Sequence, residues 1–136
     1  MAIQPYLFFE GRCEEAIEFY RAAVGAELVM LMRNKESPDQ SQTAPGTEDK
    51  VLHAAFSIGG SMVMASDGYA SGKPEFKGFS LSIDAQDPAA AKRYFDALSK
   101  GGSVQLALQQ TFFSPAFGML TDRFGVGWMV MVQPKQ

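Results

Sequence analysis

The sequence has few of the residue types that mark specialised classes of protein. Its 136 residues include one cysteine, Cys13, and a lone cysteine excludes an internal disulfide and fits a reducing compartment. A formal net charge of −3 is not the excess of positive charge that is typical of proteins that bind nucleic acid or an anionic membrane. No apolar run is long enough to span a bilayer, and the N-terminus lacks the basic start of a signal peptide. We therefore expect a cytoplasmic protein of one domain whose partners include neither nucleic acid nor a membrane.

The first half of the chain has the periodicities of a strand, a helix and three further strands. Apolar residues at helical spacing predict a helix over residues 13–24, which Gly25 ends. Short apolar runs predict the strands, and Gly59-Gly60 predicts the tip of a hairpin. A polar segment between strands predicts a long loop, either a lid or disordered. Besides the helix, the predicted elements are strands at 6–9 and 27–32, the loop at 33–50 and the hairpin at 51–67.

The second half shows the same order of elements. A strand at 79–83 precedes Asp87-Pro88, where an N-cap residue followed by proline predicts the start of a helix. Gly101-Gly102 predicts the end of that helix. A strand at 104–108 and a hairpin at 117–132 complete the chain.

An internal repeat therefore organises the sequence. The aromatic pair Phe19-Tyr20 of the first helix corresponds to the pair Tyr94-Phe95 of the second. Such self-similarity is the signature of a duplicated unit. We predict an α+β fold of two tandem βαβββ modules, about 1–67 and about 78–134, joined by a linker at about 68–77.

Pairing across the Gly59-Gly60 turn divides the first hairpin into two faces, because directly opposed residues share a face. One face is uniformly apolar and is expected to lie against a helix. The other mixes apolar and polar side chains, as ligand-binding surfaces and solvated surfaces both do. The apolar face comprises Ala54, Phe56, Ile58, Val63 and Ala65, and the mixed face His53, Ala55, Ser57, Met62, Met64 and Ser66.

Three segments make the chain resemble a known family. They are PYLFFEGRCEEAIEFY from Pro5, HAAFSIGGSMVMASD from His53 and DRFGVGWMV from Asp122. Together, and in this order, they resemble the PhnB-like branch of the vicinal oxygen chelate superfamily, which includes glyoxalases, extradiol dioxygenases and bleomycin-resistance proteins. The resemblance implies two modules whose sheets form a curved mixed sheet around a cavity, and a homodimer. The branch has carried methyltransferase labels, but no glycine-rich nucleotide loop follows a strand in this sequence.

The resemblance also allows a test for a metal ion. Metal-dependent members of the superfamily take ligands from the first and last strand of each module, and these positions fall at or near Pro5, Met64, Gly78 and Met129. Proline and glycine offer no donor side chain, and a thioether is a poor ligand for hard divalent ions. We therefore expect no metal and no other cofactor, with a divalent ion at a relocated site as the alternative.

A cavity lined by methionine is the predicted binding site. Flexible, polarizable thioethers suit apolar ligands of different shapes, and a few hydroxyl or imidazole groups would orient the guest. Alternation along the first strand places two further apolar residues on this face. The predicted ligand-binding residues are Leu7, Phe9, His53, Ser57, Met62, Met64, Ser66, Ser80, Ser82, Met119, Met129 and Met131.

Several functions remain open for this sequence. The first hypothesis is a metal-free protein that binds and sequesters a small, largely apolar molecule. The second is an enzyme of lyase, isomerase or dioxygenase type, assisted by a metal or by His53, the only histidine and the sole catalytic candidate. The third is a structural or regulatory domain with a filled cavity. Cys13 on the apolar arc of the first helix is expected to be buried and inert, Trp128 to be core, and Asp122 and Arg123 to serve a turn.

Overall fold

The computed structural model describes residues 1–41 and 43–134. These residues form two compact units that divide between Pro74 and Glu75, and we refer to the units as module one and module two. In chain order, module one contains β1 (Tyr6–Phe8), α1 (Cys13–Val24), β2 (Glu27–Arg33), β3 (Val51–Ile58) and β4 (Ser61–Ser66), and module two contains β5 (Leu81–Ala85), α2 (Pro88–Ser99), β6 (Ser103–Gln109), β7 (Phe117–Thr121) and β8 (Gly127–Val132).

Each module forms a four-stranded mixed sheet with the same topology. The strand order is β1-β4-β3-β2 in module one and β5-β8-β7-β6 in module two. In both sheets the first strand pairs with the last in parallel, and the other neighbours are antiparallel. The predicted α+β fold of two βαβββ modules is confirmed.

Helix α1 covers one face of the first sheet. Glu14 and Glu15 lie in its first turn, where negative charge favours the helix dipole, and Gly25 ends it with a left-handed φ of 70°. Tyr20 is fully buried, and its ring lies 6.0 Å from that of Phe56 and 6.2 Å from that of Phe9. Burial of each such aromatic side chain contributes about 1.5–3 kcal/mol, so this contact fixes which face of the sheet is core.

Helix α2 covers the corresponding face of the second sheet. Its N-cap residue Asp87 accepts a hydrogen bond from the Ala90 amide at 2.8 Å, and Pro88 occupies the first turn. The ring of Phe95 packs so closely on Gly118 that a Cβ there would lie 2.6 Å from it. Trp128 shares this face and is 2 % exposed, so its predicted core position is confirmed.

Two buried carboxylates hold the ends of strands in place. The oxygens of Asp67 accept hydrogen bonds from the Cys13 amide at 2.8 Å and the Val51 amide at 2.6 Å, which ties the start of α1 to β3. Asp122 lies in the β7–β8 turn, and its carboxylate accepts from backbone amides of that turn. The predicted turn role of Asp122 is confirmed.

The polar segment 33–50 is more structured than the sequence suggested. The Asn34 amide donates to the Lys50 carbonyl at 2.9 Å and the Lys35 amide to the Glu48 carbonyl at 3.0 Å, so the pairing of β2 with β3 continues into it. Asn34–Glu36 form a short 3₁₀ helix. Both ends of the segment are therefore ordered by backbone hydrogen bonds, which the composition of the segment does not reveal. Gln42 lies outside the described residues.

Cys13 is a buried thiol, as expected. Its side chain is 0 % exposed. Burial raises its pKa to about 12, and the charges of Asp67 and Glu14 act in the same direction. A neutral thiol at physiological pH is a poor nucleophile, which agrees with the predicted inert role.

The raised pKa of Cys13 predicts how stability changes at alkaline pH. Above about pH 9 the unfolded chain releases the thiol proton while the folded chain keeps it up to about pH 12. The free energy of unfolding therefore falls across this window, by up to about 1.4 kcal/mol per pH unit from this group. Urea unfolding of the protein and of Cys13→Ala isolates the effect, because the variant lacks this part of the slope. Equal slopes would contradict a buried, protonated thiol.

Candidate functional site

The face of the first sheet that α1 leaves uncovered is the candidate site. Strand pairing defines its members: Met64 lies beside both Tyr6 and Ala55, Met30 beside Ala55, and Met32 beside His53. We call this surface the open face; it consists of Tyr6, Phe8, Glu27, Met30, Met32, His53, Ala55, Ser57, Met62, Met64 and Ser66. Most of these side chains are apolar and partly exposed.

The predicted placement of Leu7 and Phe9 on this face is wrong. Leu7 pairs with Ala65 on the helix-covered side, and both Leu7 and Phe9 are at most 1 % exposed. The run YLFF is apolar at every position, so alternation alone cannot tell which residues point to which face. Instead, Tyr6 and Phe8 occupy the open face, with exposures of 36 % and 52 %.

The contribution of β2 to the open face was not predicted from the sequence. Met30 and Met32 reach the open face because a register shift separates Leu28 from Met30 in the pairing with β3. Such a bulge changes the side to which later residues point. The alternation of methionine in the run Met30-Leu31-Met32 is the signal that could have identified them.

His53 has a partner that the sequence did not reveal. The Tyr6 hydroxyl lies 2.9 Å from His53 Nδ1, and the two rings are stacked with centroids 5.5 Å apart. Burial raises the pKa of Tyr6, and a hydrogen bond with the Ser66 side chain partly opposes this. The phenol therefore stays protonated at neutral pH and is available as a donor.

The predicted serines of module one differ in accessibility. Ser66 is 4 % exposed, and its Oγ accepts a hydrogen bond from the Gly68 amide at 3.0 Å, so it supports the face from beneath. Ser57 is half-buried and pairs with Met62 at the far end of the hairpin.

In module two the structure brings together the remaining predicted residues. Met129 pairs with Ser82 on one side and with Met119 on the other. Met131 follows on the same face beside Phe117, which sequence analysis did not include. Ser80 precedes β5 and is exposed. This second thioether surface lies on the side of its sheet opposite to α2.

The residues present do not fit the metal centre of the superfamily. On the open face the residue nearest to the expected first ligand, Pro5, is Tyr6, and its neighbour in the register is Met64. Met129 and Gly78 offer a thioether and no side chain at the remaining positions. Across residues 1–41 and 43–134, no group of three His, Cys, Asp or Glu side chains is placed to hold a metal ion.

A separate cavity of about 540 Å³ lies in module two, where α2 begins. Its lining includes Asp87, Ser114 and the exposed Phe112. None of the predicted site residues lines it. In the part of the chain that the structure describes, no helix is long and apolar enough to cross a membrane.

Comparison with known proteins agrees with this architecture. The family model for 3-demethylubiquinone-9 3-methyltransferase matches residues 1–131. Protein YjdN of Escherichia coli is 38% identical, with 100% of this chain and 98% of that protein covered. The crystal structure of protein PA1353 from Pseudomonas aeruginosa is 39% identical, covers 99% of each chain and has a TM-score of 0.86.

Two further structures place the family. A PhnB protein from Bacillus cereus, described as a putative 3-demethylubiquinone-9 3-methyltransferase, is 30% identical over 97% of this chain and 99% of its own, with a TM-score of 0.81. A glyoxylase/bleomycin resistance protein/dioxygenase domain from Frankia sp. shares the fold, with a TM-score of 0.63 at 14% identity over 97% and 94% of the two chains. The chain therefore belongs to the PhnB-like family described as 3-demethylubiquinone-9 3-methyltransferase, and it has the fold of the glyoxylase/bleomycin resistance protein/dioxygenase domain.

Proposed function

We propose that this protein binds a small, largely apolar molecule on the open face of module one and needs no metal ion to do so. The observation that carries the proposal is the composition of that face. Thioethers and aromatic rings cover it, and a single imidazole lies among them. Partly exposed apolar groups of this kind, concentrated on one surface, mark a binding site more often than a solvated surface.

The partial exposure of the face argues against ordinary core. Phe8 is 52 % exposed, and Tyr6 and Met30 are each 36 % exposed. On the opposite side of the same sheet Phe56 and Ala54 are at most 1 % exposed beneath α1. A ligand that covers the open face would remove apolar surface from water, at about 25 cal/mol per Å² before the costs of association.

Methyl transfer, which the family description names, receives no support from the chain topology. A glycine-rich nucleotide site of the doubly wound kind lies between a strand and a helix that leads to a parallel neighbouring strand. Here the strand after α1 is β2, which lies at the opposite edge of the sheet from β1. Module two has the same arrangement. We therefore propose binding rather than methyl transfer.

A second candidate is an enzyme assisted by His53, and the Tyr6–His53 hydrogen bond is the observation that favours it. A histidine oriented by a partner group is the usual arrangement for acid–base catalysis. The partner here is a phenol. A neutral phenol stabilises a protonated imidazole less than a carboxylate would. Turnover that disappears in His53→Ala while ligand affinity persists would favour the enzyme.

The homodimer implied by the resemblance stays a prediction.

Placing a charge on the open face is expected to abolish binding of an apolar probe. We predict that Met30→Glu weakens binding of 2-isopropenylnaphthalene at least roughly tenfold, because the carboxylate would lose water on contact with the hydrocarbon. Leu52→Glu is the matched control, since Leu52 is 42 % exposed and points to the opposite side of β3. It should change affinity less than about twofold. Fluorescence titration in the presence of a chelator measures both.

Two results would contradict this proposal. Equal effects of Met30→Glu and Leu52→Glu would show that the open face is not where the probe binds. Binding that requires an added divalent ion, or an equivalent of tightly held metal found by elemental analysis, would remove the metal-free part.

A further inference from the structure

The polar contacts of His53 determine which of its nitrogens faces a ligand. Tyr6 Oη and His53 Nδ1 share one hydrogen bond at 2.9 Å. A phenol is a stronger acid than a neutral imidazole N–H, and the imidazole nitrogen is a stronger base than phenol oxygen. The proton of this bond therefore stays on Tyr6 Oη, and His53 Nδ1 accepts the hydrogen bond. The neutral ring must then carry its own proton on Nε2.

The surroundings of Tyr6 reinforce this direction. Burial raises the pKa of the phenol, which keeps it a donor. The Ser66 side chain offsets this rise only in part, so the phenol keeps its proton for the bond to His53.

His53 Nε2 is left as a donor on an apolar surface. Among the described residues, the hydrogen bond recorded for the His53 side chain is the one to Tyr6. The ring is half-buried and lies beside Met32 in the strand register. A lone N–H among thioethers and aromatic rings gains most from a ligand that supplies an acceptor, because a ligand without one would cover the donor and leave it unsatisfied.

From this geometry we propose that His53 Nε2–H donates a hydrogen bond to an oxygen acceptor of the ligand and that Tyr6 is the positioning residue that fixes this tautomer. The proposal rests on the proposed function and narrows the ligand class. The preferred ligand is an apolar molecule with a neutral carbonyl oxygen, and a hydrocarbon of the same shape binds more weakly.

A pair of matched probes tests the donor. 2-Acetylnaphthalene and 2-isopropenylnaphthalene have nearly the same shape, but the ketone oxygen of the first is a methylene group in the second. We expect the protein to prefer the ketone by roughly fivefold, as one net hydrogen bond provides. His53→Leu should bring the ratio of the two affinities to about one, whatever its effect on the affinity for the hydrocarbon. His53→Gln, which keeps an N–H donor, should restore part of the preference.

The role of Tyr6 has a separate readout. Nitrogen-15 NMR of the imidazole at about pH 8.5, where an ordinary histidine is neutral, should show the proton on Nε2. In Tyr6→Phe, which keeps the aromatic ring, it should show a mixture of the two tautomers. A purely structural role of Tyr6 would leave the tautomer unchanged.

The outcomes separate this inference from the proposed function. Equal affinity for the two probes, or a proton on Nδ1 in the unmodified protein, overturns the inference while binding on the open face stands. Failure of both probes to bind overturns the proposed function and the inference with it. A preference for the ketone that persists in His53→Leu also contradicts the inference, since the donor would then lie elsewhere.

Discussion

Replacing Asp122 with alanine is expected to lower the free energy of unfolding by about 4 kcal/mol. The carboxylate accepts hydrogen bonds from the amides of Phe124 at 2.8 Å and Val126 at 3.1 Å, and from Trp128 Nε1 at 2.8 Å. Asp122 is 3 % exposed, so water cannot easily replace it. Alanine would take the acceptor away from three donors at once, each at a cost of about 1–3 kcal/mol.

Urea unfolding followed by far-ultraviolet circular dichroism measures this loss. Asp122→Asn keeps one acceptor oxygen and should fall between alanine and the unmodified protein. Arg123→Ala is the neighbouring control; its guanidinium is exposed and donates to the Lys100 carbonyl at 3.2 Å, so we expect a change below about 1 kcal/mol. A loss below 1 kcal/mol in Asp122→Ala would show that the turn does not depend on the carboxylate.

Asp67→Ala is expected to cost about 3 kcal/mol, the second largest effect. Its two oxygens hold the Cys13 and Val51 amides at 2.8 and 2.6 Å, and the side chain is 4 % exposed. The Cys13 amide belongs to the first turn of α1, and the backbone N–H groups of a first turn have no acceptor within the helix. The carboxylate also lies at the N-terminus of α1, where the positive end of the helix dipole stabilises a negative charge.

Amide hydrogen exchange locates the effect of Asp67→Ala. The Cys13 and Val51 amides should exchange faster than in the unmodified protein, in addition to the lower global stability. Asp49→Ala is the control, because Asp49 pairs with Lys35 at 2.8 Å on the surface, where ion pairs contribute at most about 1 kcal/mol. Unchanged exchange at both amides would contradict the bridging role of Asp67.

The elements that local sequence determines were predicted well. The Gly59-Gly60 turn fixes the register of β3 with β4, and the observed pairs, Ile58 with Ser61 and Ser57 with Met62, are the ones that this two-residue turn gives. The boundaries of α1 at residues 13 and 24 also agree, because an apolar arc and Gly25 define them. A hairpin register depends on its turn, and a helix depends on its own periodicity.

The parts of the site that depend on contacts distant in sequence were not predicted. β1 joins the sheet through parallel pairing with β4, more than fifty residues along the chain, and nothing in YLFF indicates which side faces α1. The Tyr6–His53 hydrogen bond follows from that pairing and was missed for the same reason. Met30 and Met32 depend on a bulge, which apolar periodicity does not reveal.

Methionine-methyl NMR tests the central claim, that the open face of module one binds apolar molecules without a metal. Carbon-13 methyl signals of the methionines, assigned with single Met→Leu variants, are followed as 2-isopropenylnaphthalene is added in the presence of a chelator. We predict saturable shifts of the Met30, Met32 and Met64 signals. If the probe binds while these three signals stay unchanged, or if they move only after a divalent ion is supplied, the account is wrong.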